Sequence, residues 1–188
     1  PGVFVLDKDL NWTSAIDPLH YNNPSIDAAG LGRSFARVLV AIRPSARIGL
    51  IPAAVGGASL EQWQPGGELY RTAVSRTRYA LKSGRLRGIL WHQGESDAQK
   101  QELAESYANR FADFARTLRR DLGAPDVPII VGQLGEFAKF PFASQVNEQL
   151  ALLPLKLPHC AFVSSAGLAD KGDRVHFDTR SLREFGRR

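Results

Sequence analysis

Three short stretches of the chain carry residue types that can do chemistry: "GGASLEQW" at 56–63, "WHQGESD" at 91–97 and "DRVHF" at 173–177. In the third, Asp173 and His176 stand in a D-x-x-H spacing. An aspartate so placed can hold one imidazole nitrogen while the other faces a nucleophile, the base-plus-orienter logic of serine hydrolases. Taken alone, His176 is more often a hydrogen-bonded loop histidine. In the second stretch Gln93 follows an apolar run and precedes Gly94, which lets the backbone turn tightly. Its amide N–H can point into a cleft and stabilise an oxyanion, where loss of one donor costs ~10²–10³ in rate. Alone, the reading of Gln93 as a tie for the neighbouring loop has the better claim. In the first stretch, consecutive glycines after a strand permit positive φ and bring a backbone N–H close to a ligand. Gly-Gly turns are common, so that signal is unspecific.

The competing candidates are weaker. His20 and His92 can line a cleft, but neither has an Asp at compact spacing, and His159 after Pro158 reads as structural. The histidines are scattered, with no H-E-x-x-H or similar pattern, so zinc is not expected. The single cysteine, Cys160, excludes an internal disulfide and any multi-Cys metal site. Within "HCAFVSS" it reads as a small buried hydrophobe rather than a nucleophile.

These residues need elements to position them, and short apolar runs alternate with stretches of helical period. "VFVLD" reads as a strand with "NWTSAIDP" as a loop after it. "LGRSFARVLVAIR" places Leu31, Phe35, Val38, Leu39 and Ile42 on one helical face, closed by Pro44. "RIGLIPAAVGG" is a strand entering a glycine turn, and "ELYRTAVSRTRYALKSG" a helix with Gly84 as its terminating residue. Strand "GILWHQG" precedes "QELAESYANRFADFARTLRRDLG", which repeats Leu103, Tyr107, Phe111, Phe114 and Leu118 at helical spacing. Strand "VPIIVGQLG", helix "ASQVNEQLALLP", strand "CAFVSS" and a helical "TRSLREFGRR" complete the chain. Alternation with continuous apolar strands predicts one α/β domain over 1–188, with a parallel sheet covered on both faces. Sites in such folds gather at the carboxyl ends of strands.

With 188 residues and 44% hydrophobic content the chain is long enough for a real core. No apolar run approaches a transmembrane length, so no membrane partner is expected, and "PGVFVLDKD" reads as the middle of a fold rather than a leader. The net charge is +5, yet the arginines fall on polar helix faces beside Glu or Asp. That is a solvated surface, and no nucleic-acid partner is expected.

Together, in this order, "GGASLEQW", "WHQGESD" and "DRVHF" resemble the blocks of the SGNH/GDSL hydrolase superfamily. More narrowly they are similar to the sialate O-acetylesterase-like branch, which includes the acetylxylan esterases of carbohydrate esterase family six. The similarity covers nearly the whole chain, and W-x-Q-G-E-x-D is its most specific block. The resemblance implies a flavodoxin-like, three-layer α/β/α fold and an O-acetylesterase acting on acetylated carbohydrate, of acetylxylan or sialic-acid type, without a cofactor. A secreted or periplasmic location is compatible with it. Asp173 and His176 match the acid and base of the triad, Gly57 the backbone oxyanion donor and Gln93 the oxyanion amide. Glu95 and Asp97 complete the signature and brace the loop or touch substrate. Glu95, His92 and Trp63 are the expected substrate contacts, with Trp63, Trp91 and Tyr70 offering sugar-stacking faces, although a core role for Trp91 is equally open. The family's nucleophile is a serine in a G-Q-S-N-like block after the first strand, and that block belongs upstream of Pro1. Ser34 falls inside a helix, Ser59 caps one, and Ser96 holds a variable position of the signature. The expectation is therefore a chain truncated at its N-terminus, and at its C-terminus too, lacking the first strand and the nucleophile. A catalytically inactive carbohydrate-binding relative of the same fold is the alternative.

Overall fold

The computed structural model describes residues 2–20 and 29–188. In chain order the elements are β1 (Val3–Leu6), β2 (Trp12–Ser14), α1 (Leu31–Ile42), β3 (Ile48–Leu50), α2 (Glu68–Ala80), β4 (Ile89–Trp91), α3 (Gln101–Glu105), α4 (Tyr107–Asp121), β5 (Ile129–Gly132), α5 (Ala143–Lys156), β6 (Cys160–Val163) and α6 (Thr179–Arg187). Single-turn helices lie at Leu60–Trp63 and Asp97–Gln99. The chain divides into two compact units, one made of Pro1–Ala54 with Leu168–Arg188, the other of Val55–Gly167.

In the first unit β1 pairs parallel with β3 and antiparallel with β2. The segment expected to be a loop after β1 thus returns as a strand. The Asp7 carboxylate makes the reversal, accepting the Asp9 and Asn11 backbone N–H groups at 2.9 and 2.8 Å while Leu10 takes φ +63°. An Asp that bonds its own downstream backbone favours such turns. Trp12 then lies over Gly49, where a Cβ would meet its ring at 2.6 Å.

Helix α1 half-buries Leu31, Phe35 and Val38 of its expected apolar face and exposes Leu39 and Ile42, Ile42 to 70%, while the small residues Ser34 and Ala36 are the fully buried ones. The partner is the reason. Helix α6 packs so closely on α1 that a side chain at Gly186 would collide with the Leu31 carbonyl, and small residues permit that approach. Asp17 ties the unit together by accepting from Arg33 at 3.3 Å and Arg183 at 3.0 Å.

The second unit holds a fully parallel sheet in the order β4-β5-β6, flanked by helices, as the alternation of the sequence predicts. Its core forms where Trp91 meets Phe111 and Phe114 at centroid distances of 5.2 and 5.1 Å. Tyr107, Phe111, Phe114 and Leu118 recur on one face of α4, and all are buried. Each such side chain contributes about 1.5–3 kcal/mol on burial. The long helix expected over 101–123 breaks at Ser106, whose hydroxyl donates to the Glu102 carbonyl at 2.7 Å, a back-bond that bends helices. At its other end Gly123 takes φ +64°, and Ala124 and Gly123 donate to the Arg119 and Arg120 carbonyls. That six-to-one and five-to-two pairing is the Schellman stop. Helix α2, by contrast, ends at Ala80, short of Gly84. Arg119 is buried and donates to the carbonyls of Val127, Pro158 and His159 at 2.8–2.9 Å, pinning the entries of β5 and β6. It is the His159 carbonyl that serves this junction, while its imidazole is exposed 3.7 Å from Asp126.

Candidate active site

The Asp173–His176 spacing does what a D-x-x-H loop can do. Asp173 Oδ1 accepts the Val175 and His176 backbone N–H groups at 2.9 and 2.8 Å, and Oδ2 lies 2.7 Å from His176 Nδ1. The loop is closed by a second aspartate: Asp170 Oδ2 accepts from the Gly172 and Arg174 N–H groups, with Arg174 at φ +57°. Phe177, the next residue, is buried on Phe185 with ring centroids 5.4 Å apart. Asp178 then caps α6 by accepting the Ser181 N–H at 2.6 Å. The histidine is therefore anchored on both sides in sequence while its own side chain stays 63% exposed. Bonding from the His176 backbone and ring, then from Val175 and Lys171, holds the Asp173 carboxyl far below the usual carboxylate range. An ionised Asp173 can only accept, so Nδ1 carries the shared hydrogen and Nε2 is left as the basic nitrogen. His176 Nε2 has no partner among the described residues. No serine hydroxyl among them bonds to it.

The other expected residues lie in the second unit. Val55 to Ala58 form a turn with Gly57 at φ +75°, the left-handed position that a type II turn reserves for glycine. The Gly57 N–H donates to no group among the described residues. Three side chains of the 93–97 segment reach across to this turn. Ser96 Oγ donates to the Gly57 carbonyl at 2.8 Å, Gln93 Nε2 to the Ala58 carbonyl at 3.1 Å, and Asp97 Oδ2 accepts the Leu60 N–H at 2.8 Å.

Gln93 departs from its expected outward aim. It is 8% exposed, and its amide donates to Asp97 Oδ2 at 2.7 Å as well as to Ala58. Its Oε1 accepts from the Tyr107 hydroxyl at 2.8 Å. Two amide hydrogens facing two acceptors leave no free donor, so the side chain acts as the loop tie. Asp97, wholly buried, also takes the Arg110 guanidinium at 2.7 Å. Tyr107 and Arg110 are the members that sequence reasoning missed. Tyr107 reads as one more apolar core position, and Arg110 as one more arginine on a helix. Only their i, i+3 spacing on the face toward Gln93 and Asp97 could have suggested them.

Trp63 is corrected outright as a sugar contact. It is 6% exposed and packs edge-on against Trp91 at 5.6 Å, so neither ring face is open to a substrate. Trp91 takes the core role, with its indole N–H on Tyr107 Oη at 3.0 Å. Tyr70 is buried as well, and burial together with its bond to Asp121 pushes its phenol up to about 12. His92 sits at the carboxyl end of β4 with Nε2 3.3 Å from the Gln133 carbonyl, which can only accept. Gln133 in turn receives the Ser164 hydroxyl and the Ser165 N–H at 2.9 and 2.8 Å. Glu95 is half-buried, and its carboxylate makes no hydrogen bond or ion pair among the described residues. Ser34 is buried in α1, and Ser59 stands at the N-cap of the Leu60–Trp63 turn. His20 is exposed beside Gly30. Burial raises the Cys160 thiol, which makes it a poor nucleophile. Among the described residues no three His, Cys, Asp or Glu converge as a metal-holding group, and no helix is long and apolar enough to cross a membrane.

Comparison with known proteins bears on this geometry. The family model described as "Carbohydrate esterase, sialic acid-specific acetylesterase" matches residues 1–188. The probable carbohydrate esterase At4g34215 of Arabidopsis thaliana is 36% identical over 190 residues, spanning 98% of this chain and 72% of that protein. The X-ray structure of the Arabidopsis protein superposes with a TM-score of 0.93 at 33% identity, covering 99% of this chain and 78% of that one. XAC1771, a carbohydrate acetylesterase from Xanthomonas citri, gives a TM-score of 0.70 at 20% identity over 98% of this chain and 46% of its own. NanS gives 0.67 at 22% identity, covering 84% and 68%. At those identities the last two share the fold.

Proposed function

The chain belongs to the sialic acid-specific acetylesterase family of carbohydrate esterases, and on that premise we propose that it removes O-acetyl groups from carbohydrates through a serine acyl-enzyme. The observation that carries the reading is the 2.7 Å pair of Asp173 and His176, with Nε2 basic and unpartnered among the described residues. The nucleophile is a serine supplied from sequence ahead of Pro1. Its Oγ attacks the acetyl carbonyl as His176 Nε2 takes the hydroxyl proton, and Asp173 stabilises the imidazolium that results. The family resemblance assigns the oxyanion-donor role to Gly57, whose N–H its own turn leaves uncommitted among the described residues. Collapse breaks the bond to the sugar oxygen, which leaves with the proton from His176. Water, deprotonated by the same nitrogen, then releases acetate and regenerates the serine. Gln93 serves by holding the Gly57 turn, and Glu95 and His92 meet the substrate. The substrate is an acetylated sugar of xylan or sialic-acid type, and no cofactor enters.

Acetate release from a simple acetyl ester tests this, using the natural gene product with the residues ahead of Pro1 retained. Activity is expected there and is expected to vanish in His176→Ala; full activity in that variant rules the mechanism out. The committed amide of Gln93 favours one other reading, a sugar-binding relative without chemistry. Acetylated oligosaccharide bound but never hydrolysed by the extended protein would establish it.

A further inference from the structure

Helix α2 carries cations on one side that the esterase reading leaves without a role. Arg71 and Arg78, seven residues apart on the helix, and Lys82, in the turn just past its end, line a groove of about 600 Å³. A helix brings positions so spaced onto one face. The two arginines are held rather than free: Arg71 Nη1 donates to the Gly66 carbonyl, and Arg78 Nη2 to the Asp121 carbonyl at 2.7 Å. Each has one donor committed among the described residues, and a guanidinium has five. The Lys82 ammonium sits 5.0 Å above the Tyr79 ring. Among the described residues one acid lines the groove, Asp121, and its carboxylate is already engaged by the Tyr70 hydroxyl at 2.6 Å and Arg120 at 3.1 Å. The balance of the lining is cationic, with the half-exposed Tyr79 ring beside it.

We propose that this groove is a second carbohydrate site, which binds a sugar bearing a carboxylate. Guanidinium groups pre-set by backbone carbonyls suit the planar carboxylate, which they take as paired hydrogen bonds. A tyrosine ring supplies an apolar face for the sugar body. The role proposed for it is to retain the ligand. The site would hold an acidic glycan against the protein while acetyl groups elsewhere on that glycan are removed. The choice of a sugar as the carboxylate carrier rests on the carbohydrate-esterase reading.

The test is calorimetric titration of the extended, serine-bearing protein with galacturonic acid trisaccharide, with the methyl ester of that trisaccharide, and with N-acetylneuraminic acid. The expected result is saturable binding of an acid at least about tenfold tighter than the ester, weakening as salt is raised. The Arg71→Ala/Arg78→Ala variant is expected to lose about tenfold or more in affinity, while Arg85→Ala, outside the groove, leaves it unchanged. Lys82→Ala, whose ammonium contacts the Tyr79 ring, is the milder second variant and is expected to weaken binding severalfold. Whichever acid binds more tightly identifies a uronic or a sialic source of the carboxylate. Equal binding of acid and ester, binding indifferent to both variants, or displacement by inorganic sulfate at the same concentration overturns the proposal. Its failure is separable from that of the esterase reading. His176→Ala is expected to keep the binding and lose hydrolysis, and the arginine pair to lose the binding and keep hydrolysis of a small acetyl ester.

Discussion

Replacing Tyr107 by Phe removes one oxygen from the centre of the second unit. Tyr107 is fully buried, its ring parallel to Phe111 at 6.3 Å, so Phe keeps the packing and opens almost no cavity. What disappears is a relay: Trp91 Nε1 donates to the hydroxyl at 3.0 Å, and the hydroxyl donates to Gln93, with Oε1 at 2.8 Å and the carbonyl at 2.9 Å. The variant strands an indole N–H and one Gln93 oxygen. A buried group left unsatisfied costs ~1–3 kcal/mol, so two of them cost about 3 kcal/mol. For a chain of this length ~1 kcal/mol lowers Tm by about 2–4 °C, which gives a fall of about 6–12 °C. Thermal melts followed by circular dichroism measure it, with Tyr107→Ala as the cavity-forming reference expected to fall further. A Tyr107→Phe protein that melts within about 2 °C of the parent would refute the reasoning, because the two groups must then be solvated rather than paired.

The remaining expectations follow from the same contacts. In the extended, serine-bearing protein, Asp173→Asn should lower kcat by about 10³–10⁴ with little change in Tm, since it spoils the tautomer of His176 and leaves the exposed loop in place; steady-state kinetics on an acetyl ester reads it. Gly94→Ala forces a Cβ to 2.7 Å from Val146 Cγ1 at φ +151° and should cost about 1–3 kcal/mol. Adding Val146→Ala should return part of that loss, a non-additivity that a double-mutant cycle in urea detects. Tyr70 and Tyr107 both have phenols raised above the ordinary value of 10.0, so their contribution to stability is complete below that pH. It falls away as pH rises, because the unfolded chain then loses protons that the folded one keeps. Melting temperature should therefore drop between about pH 10 and 12, and Tyr70→Phe should flatten the earlier part of that fall.

Much of this protein is written in local patterns. The parallel strands β4, β5 and β6 follow from unbroken apolar runs between helical stretches, and the stop of α4 from a glycine that alone enters the left-handed region cheaply. The Asp173–His176 pair is equally local, since three residues of sequence suffice for one carboxylate to bond both the backbone and the ring of the same histidine. Tertiary structure decided what local patterns leave open. Whether Trp63 met solvent or Trp91 depended on the distance between two segments far apart in the chain, and the core took it. On α1, the close approach of α6 at Gly186 met the Leu31 carbonyl and the small Ser34 side chain, while the apolar stripe beside them stayed only half-buried. Gln93 shows the difference most plainly. Its position after a strand makes it able to donate, but Ala58 and Asp97 lie 35 and 4 residues away in sequence and consume both hydrogens. A buried amide must satisfy its donors wherever the fold brings acceptors, and the residue type alone does not say which acceptors those are.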